Sequence, residues 1–434
     1  MVEKDKVNDL VVGESISKHH KNGGYAWFVG FCVLFASLAY VMISRAVSPG
    51  MAAIIQYFGM DTVWGGSLSS VMGMVSAIIV LPLGALSTRF SVKWMAVIAL
   101  ALITLGAFGA SAVTDANMFY AMRVVQGIGY GTMSVVGATM ITRWFDEDHR
   151  GLPMGIYGAN VGLGGFVVNF AATPLMEWDG WQGLFVFVGI WAVIGLVLYL
   201  FFVQDWPAEG KQVEEKAVQE KAKFTDTFKK PAVWVMAAIF LFMGTGQQGV
   251  GVFIPMILTQ ISGATPAEAN LMNSGISIAV VLSTIISGAI YGWVTRNHKD
   301  KRGLFIFALL ILGGLAQLGT VFIPHDYITS WIGCLFFGLC ATMWMPGLYI
   351  LVAEHSGSPA LASVGLTIFM FGQYLGGIIG PLMIGFANAN MGGFQAVGGL
   401  MAVLIVISVI LGFILMRMDT KLLKSEGSHP GDQL

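Results

Sequence analysis

The sequence predicts an all-α polytopic membrane protein with twelve transmembrane helices in two pseudo-symmetric six-helix bundles. Three observations carry this. Of 434 residues, 56% are hydrophobic and only 11% are charged, where an ordinary soluble domain is about 25% charged. Twelve apolar runs each reach the roughly 20 residues a helix needs to cross a hydrocarbon core of about 30 Å. Lysine and arginine gather on one side of the resulting arrangement. The same composition excludes a disordered chain, and a net charge of −1 removes any overall field that would draw nucleic acid. Cys32, Cys334 and Cys340 all stand inside apolar runs, which implies neither a disulfide framework nor a zinc site.

In chain order, residues 1–24 form a polar tail, read as cytoplasmic and uncleaved because the apolar run behind it is long enough to span. The first six runs lie at 25–46, 64–86, 94–114, 117–142, 152–175 and 182–203, so the N-terminal bundle covers 25–203. Residues 204–231 are dense in Lys and Glu and read as a solvated cytoplasmic linker. The second six runs lie at 232–258, 267–294, 303–323, 328–353, 360–387 and 394–417, giving a C-terminal bundle over 232–417 and a cytoplasmic tail at 418–434. The eighth run opens with Thr265-Pro266-Ala267-Glu268, a capping box with proline at the first helical position.

Orientation follows from the cations. Of 23 Lys and Arg, only Arg45 and Arg123 fall inside the runs, Arg417 being the last residue of the twelfth and counted with the tail it adjoins. The other 21 lie in the two tails, the linker and the 2–3, 4–5 and 8–9 loops, on one side of a twelve-pass chain. The opposite loops carry only acids: Asp61, Asp115, Glu177, Asp179, Glu268 and Asp326. By the positive-inside rule both termini are cytoplasmic.

Six plus six helices suggest a duplicated unit. The 2–3 loop, GALSTRFSVKW, and the 8–9 loop, YGWVTRNHKDK, each place Thr-Arg at the same end of the second helix of a triplet. Gly158, Gly162, Gly164 and Gly165 in the fifth run echo Gly372, Gly376, Gly377 and Gly380-Pro381 in the eleventh. With these features the chain resembles the major facilitator superfamily. Gly84, Arg89 and Lys93 match the GxxxD(R/K)xGRR signature, with Thr88 in place of Asp and Ser91 in place of Gly. Arg123, Gln126, Gly127 and Gly129 resemble the RxxQGxG motif. WFDEDHRGLPMG at 144–155 resembles a junction of the monocarboxylate and oxalate/formate branch and of the anion:cation symporter branch, and Tyr40 with Arg45, then Phe58-Gly59 and Gly66, resembles the start of the latter.

A charge within a membrane helix costs at least about 2.5 kcal/mol and usually marks a pathway. The runs hold two arginines and no Asp, Glu, Lys or His away from a helix end. A guanidinium stays charged and its planar fork suits a carboxylate. Without a buried acid, its counter-ion is expected to be the substrate, a small organic anion. Arg123, Gln126 and Tyr130 share one helix face. For Arg123 a structural role, donating to carbonyls of neighbouring helices, competes with the substrate role. Arg45 stands at the predicted end of the first helix, where snorkelling to the interface competes with a cavity role. The resemblance implies a cavity lined by helices 1, 4, 7 and 10. It adds Tyr40, Gln247, Gln248, Trp344 and Tyr349 as candidates, with Asn160 and Gln373 from helices 5 and 11. It also places Gly84, Arg89, Lys93 and Arg296 at a gate, against the simpler reading that cations merely mark the cytoplasmic side.

The resemblance implies a secondary transporter working by alternating access. Tyr130 stands where anion:cation symporters carry a proton-accepting acid, and a phenol titrates at about 10. Antiport or uniport is therefore expected rather than proton symport. The alternative is an exporter of neutral or lipophilic compounds. No enzymatic constellation, nucleotide loop or cofactor site is present in the sequence, and no cofactor is expected. The expected partners are a small anionic substrate and the lipid bilayer, with no nucleic acid. The expected setting is a bacterial inner membrane, and the expected functional unit a monomer.

Overall fold

The computed structural model describes residues 23–145, 149, 151–205, 225–322, 326–356 and 362–426. Eleven helical segments among them are long and apolar enough to cross a membrane. One, Leu152–Phe201, has 50 residues, or about 75 Å at 1.5 Å per residue, too long for one crossing. Its regular backbone is broken at Asp179 and at Gly180, where φ is +60°. Glycine takes that left-handed conformation without strain. The segment is therefore passes 5 and 6 joined by a tight corner, and the described residues make twelve passes.

Pass 1 corrects the sequence reading. Instead of stopping at 46, it runs over Gly24–Phe58, as helix Gly24–Arg45 followed after a one-residue break by helix Val47–Phe58. Ser48-Pro49-Gly50 reads as a terminator in the sequence. Pro49 cannot donate to the carbonyl four residues earlier, at Arg45, so the helix bends there. Neighbouring helices inside a bundle tolerate such a bend and the helix continues. Pass 10 repeats the device: helices Tyr327–Cys340 and Met345–His355 flank a turn ahead of Pro346.

The remaining passes are regular. Pass 2 is Thr62–Arg89, pass 3 Val92–Ala112, pass 4 Ala116–Trp144, pass 7 Pro231–Ile261 and pass 8 Pro266–Asn297. Pass 9 is Arg302–Phe322, pass 11 Ala362–Asn390 and pass 12 Phe394–Glu426, the last extending beyond the predicted 417. Pass 8 opens with the expected capping box, Thr265 and Glu268 exchanging side-chain and backbone hydrogen bonds. Asp326 and Thr329 form a second box at the start of pass 10.

Passes 1–6 pack on one another and passes 7–12 do the same. Two main seams join the halves, pass 2 against pass 11 and pass 5 against pass 8, and the end of pass 1 also meets pass 7. Glycines permit both. A Cβ on Gly66 would collide with the Pro381 carbonyl, and one on Gly162 with the Val281 side chain and, at 2.8 Å, the Ser277 carbonyl. Small residues of this kind let membrane helices approach backbone to backbone. Six hydrogen bonds among the described residues cross between the halves, all nearer the cation-free end. Thr62 donates to the Gly385 carbonyl (2.8 Å), Ser70 to the Ile378 carbonyl (2.6 Å), Asn388 to Thr62 (3.3 Å) and Ser48 to the Gly251 carbonyl (3.2 Å). Asn273 donates to Asn169 (3.1 Å), and Asn169 to Ser277 (3.4 Å).

Candidate functional site

A cavity of about 170 Å³ lies between the halves. Pass 1 contributes Ser44 and Arg45; pass 2 Ser69, Met72 and Gly73; pass 4 Arg123, Tyr130 and Ser134. Gln248 and Val252 come from pass 7, and Gln373, Tyr374, Gly377 and Pro381 from pass 11. No carboxylate lines it.

The continuation of pass 1 decides where Arg45 sits. It stands 13 residues before Phe58, roughly 20 Å along the helix from that end, so it does not snorkel from a helix terminus. Its guanidinium has no hydrogen bond or ion pair among the described residues. The phenol of Tyr130 is an electrostatic neighbour.

Arg123 combines the two roles that the sequence left open. It is fully buried. Its Nε donates to the Leu68 carbonyl (3.1 Å), and its Nη1 to the Ile43 carbonyl (3.1 Å) and to Gln126 Oε1 (2.6 Å). Its Nη2 is buried without a partner. The helix thus uses one side of the guanidinium as a fastener and leaves the other nitrogen unpartnered on a residue that lines the cavity.

Gln126 is not part of the lining. It is fully buried, and its Nε2 donates to the Gly106 carbonyl at 2.7 Å while its oxygen holds Arg123. A Cβ on Gly106 would stand 2.6 Å from Gln126 Cγ, so only glycine lets pass 3 come this close. Gln126 therefore positions the arginine. Tyr40 and Asn160 are likewise committed to each other, Asn160 donating to the Tyr40 hydroxyl at 2.9 Å, and neither lines this cavity. The Tyr40 ring packs edge-on against Tyr130 at 5.2 Å.

Pass 10 departs from expectation. Trp344 is fully buried, packs edge-on against Phe240 at 5.1 Å and donates to the Ala341 carbonyl within its own turn. Tyr349 packs on Phe369 and donates to the Met370 sulfur at 3.6 Å. The turn ahead of Pro346 aims both away from the cavity. Gln248 and Gln373 do line it, and Gln247 lines a smaller neighbouring cavity. The sequence reading missed Ser44, Ser69, Ser134 and Tyr374. The signal for Ser134 was available, since it extends the face of Arg123 and Tyr130 by one turn. Ser69 had none, because nothing in a glycine- and serine-rich helix tells which face meets the cavity.

The proposed gate cations are arranged differently. Gly84 and Arg89 end pass 2, but their side chains lie outside the described residues. Lys93 Nζ donates to the Leu200 carbonyl at 2.9 Å, within its own half. Arg296 is exposed and donates to Gly292 on its own helix. Neither bridges the halves through these bonds. Each half instead carries an acid at the end of its sixth helix that ties the start of the third to the end of the fourth. Asp205 accepts from the Ser91 hydroxyl and the Lys93 amide and lies 3.8 Å from Arg143. Asp419 accepts both Nε and Nη2 of Arg302 at 3.1 and 2.8 Å and lies 3.6 Å from His355. Glu354 adds a third carboxylate contact to Arg302 at 2.6 Å.

A model of the Major Facilitator Superfamily matches residues 30–381. The chain belongs to this superfamily. Its Major Facilitator relatives include the probable nitrate transporter NarT of Staphylococcus carnosus (strain TM300), 25% identical over 81% of this chain and 86% of that protein. The nitrite extrusion protein of Bacillus subtilis (strain 168) is 24% identical over 73% and 76% of the two chains. The fold matches a bacterial homolog of the human lysosomal transporter Spinster, solved inward-facing, with a TM-score of 0.75 at 15% identity over 93% of this chain and 98% of that one. It also matches a D-xylose-proton symporter, with a TM-score of 0.68 at 18% identity over 90% and 97%. This Major Facilitator chain is thus a multi-pass membrane transporter, and the two curated relatives named here, both bacterial, are a probable nitrate transporter and a nitrite extrusion protein.

Proposed function

We propose that the protein moves a small carboxylate across the bacterial cell membrane by alternating access, as an exchanger or uniporter. The observation that carries this reading is Arg45. A guanidinium far inside the membrane with no acid and no hydrogen-bond partner lacks the compensation that buried charges require. An anion in the cavity supplies it, meeting Arg45 and the open Nη2 of Arg123. Three serines, two tyrosines and two glutamines line the same space, a donor set suited to a hydroxylated carboxylate. With the cation-rich end cytoplasmic, the closed seam faces outward and the site opens inward. One chain lines the whole cavity, so a monomer suffices.

The relatives favour a second reading in which the anion is nitrate or nitrite. The two readings share the arginines and differ in the use of the surrounding hydroxyls and amides. Proteoliposome uptake across formate, oxalate, sugar acids, nitrate and nitrite, with Arg45→Gln alongside, separates them. Carboxylate uptake that vanishes in the variant is the expected result. Nitrate uptake alone moves the second reading to first place. Full activity without Arg45 removes both.

A further inference from the structure

The two arginines bring two positive charges to an interior with no lining carboxylate, and one monovalent anion balances only one of them. A second cavity, of about 60 Å³, adjoins the first on the side of passes 5 and 8. Arg45 and Gln248 line both cavities. The smaller one adds Gln247, Asn169, Asn273 and Ser48, and again no carboxylate. Its amides are not all committed. Asn273 and Asn169 are bonded across the seam, but Gln247 and Gln248 make no side-chain hydrogen bond among the described residues, which leaves their amide N–H donors uncommitted. A guanidinium and two unengaged amides around a small cavity are the donor set of an anion site.

We propose that this smaller cavity is a second anion subsite, for a halide, nitrate, nitrite or formate-sized monoanion. The proposal rests on the reading of the larger cavity as an anion site. Arg45 stands between the two: the larger cavity holds its anion between Arg45 and Arg123, and the smaller holds one between Arg45 and the amides of Gln247 and Gln248. The size difference sets the specificity, since a cavity of 60 Å³ excludes a sugar acid. Its walls come from passes 1 and 5 on one side and passes 7 and 8 on the other, so its occupant binds both halves and holds the cation-free end shut.

The test is equilibrium dialysis of the purified full chain against radioactive chloride in gluconate buffer. The expected stoichiometry is about two chlorides per wild-type chain, falling to about one in Gln247→Leu and to about one in Arg123→Gln. Asn273→Ser, a smaller change in the same wall, weakens only the second binding event and serves if Gln247→Leu does not fold. One chloride in the wild type, unchanged by Gln247→Leu and Asn273→Ser, overturns the second subsite and leaves the first standing. No chloride in the wild type overturns both.

Discussion

Arg45 and Arg123 carry the same charge into the same cavity, yet they respond differently to replacement. Arg123 is held by two carbonyls and Gln126, so Arg123→Gln leaves acceptors unpaired and lowers stability by about 1–3 kcal/mol while also removing transport. Arg45 has no such partners, and Arg45→Gln relieves an uncompensated charge. The expected result is lost transport with unchanged or raised thermal stability in detergent. Equal destabilisation by the two variants would show that Arg45 is a structural residue. The distinction was half legible in the sequence. Both arginines were plain as the charges within apolar runs, but which donors the protein itself uses depends on Gly106, Leu68 and Ile43, residues distant in the chain that only packing brings to the guanidinium.

At the scale of elements, the two terminal acids differ by burial. Asp419 and Arg302 are each 1% exposed. Asp419→Asn leaves a buried guanidinium with only Glu354 and is expected to cost about 3–5 kcal/mol. Asp205 and Arg143 are partly exposed, so Asp205→Asn, which keeps an acceptor for Ser91, is expected to cost about 1 kcal/mol or less. Thermal unfolding of both variants measures the difference, and equal shifts would contradict it. The seams obey a steric rule instead. Gly162→Val drives a side chain into the Ser277 carbonyl and should part passes 5 and 8. A cysteine placed at Ser48 should then be labelled faster from the cation-free side, and an unchanged labelling rate would mean that the seam absorbs the extra volume. The repeat of these acids was hidden in the sequence because Asp205 and Asp419 sit in unlike local contexts. The shared feature is which helix ends they join.

For the whole molecule, the cavities contain cations, amides and hydroxyls but no acid. The carboxylates of Asp419 and Glu354 are bound to Arg302 at one end of the C-terminal half, apart from the cavities. Anion exchange should therefore persist when a protonophore collapses the pH gradient. Collapse of exchange together with the gradient would require a proton carrier that the lining residues do not provide. The positions of the cross-half bonds bear on the state as well. With all six toward the cation-free end, rocking must break those and close the other end, so variants that weaken the seams shift the population toward the opposite opening.

By itself the sequence determined the class, the number of passes, the side on which cations collect and the two arginines that have no helical acid to pair with. These follow from the cost of placing polar groups in hydrocarbon, which every residue of a run reports independently. The tertiary structure decided what adding residues along the chain cannot. It carried pass 1 through Pro49, so that Arg45 lies deep in the membrane. It turned Trp344 and Tyr349 into the core, made Gln126 a support and gave Arg123 one free nitrogen. It also drew Ser69, Ser134 and Tyr374 into one cavity. Each of these outcomes depends on which helix faces meet, and facing is set by glycine contacts between passes far apart in the chain.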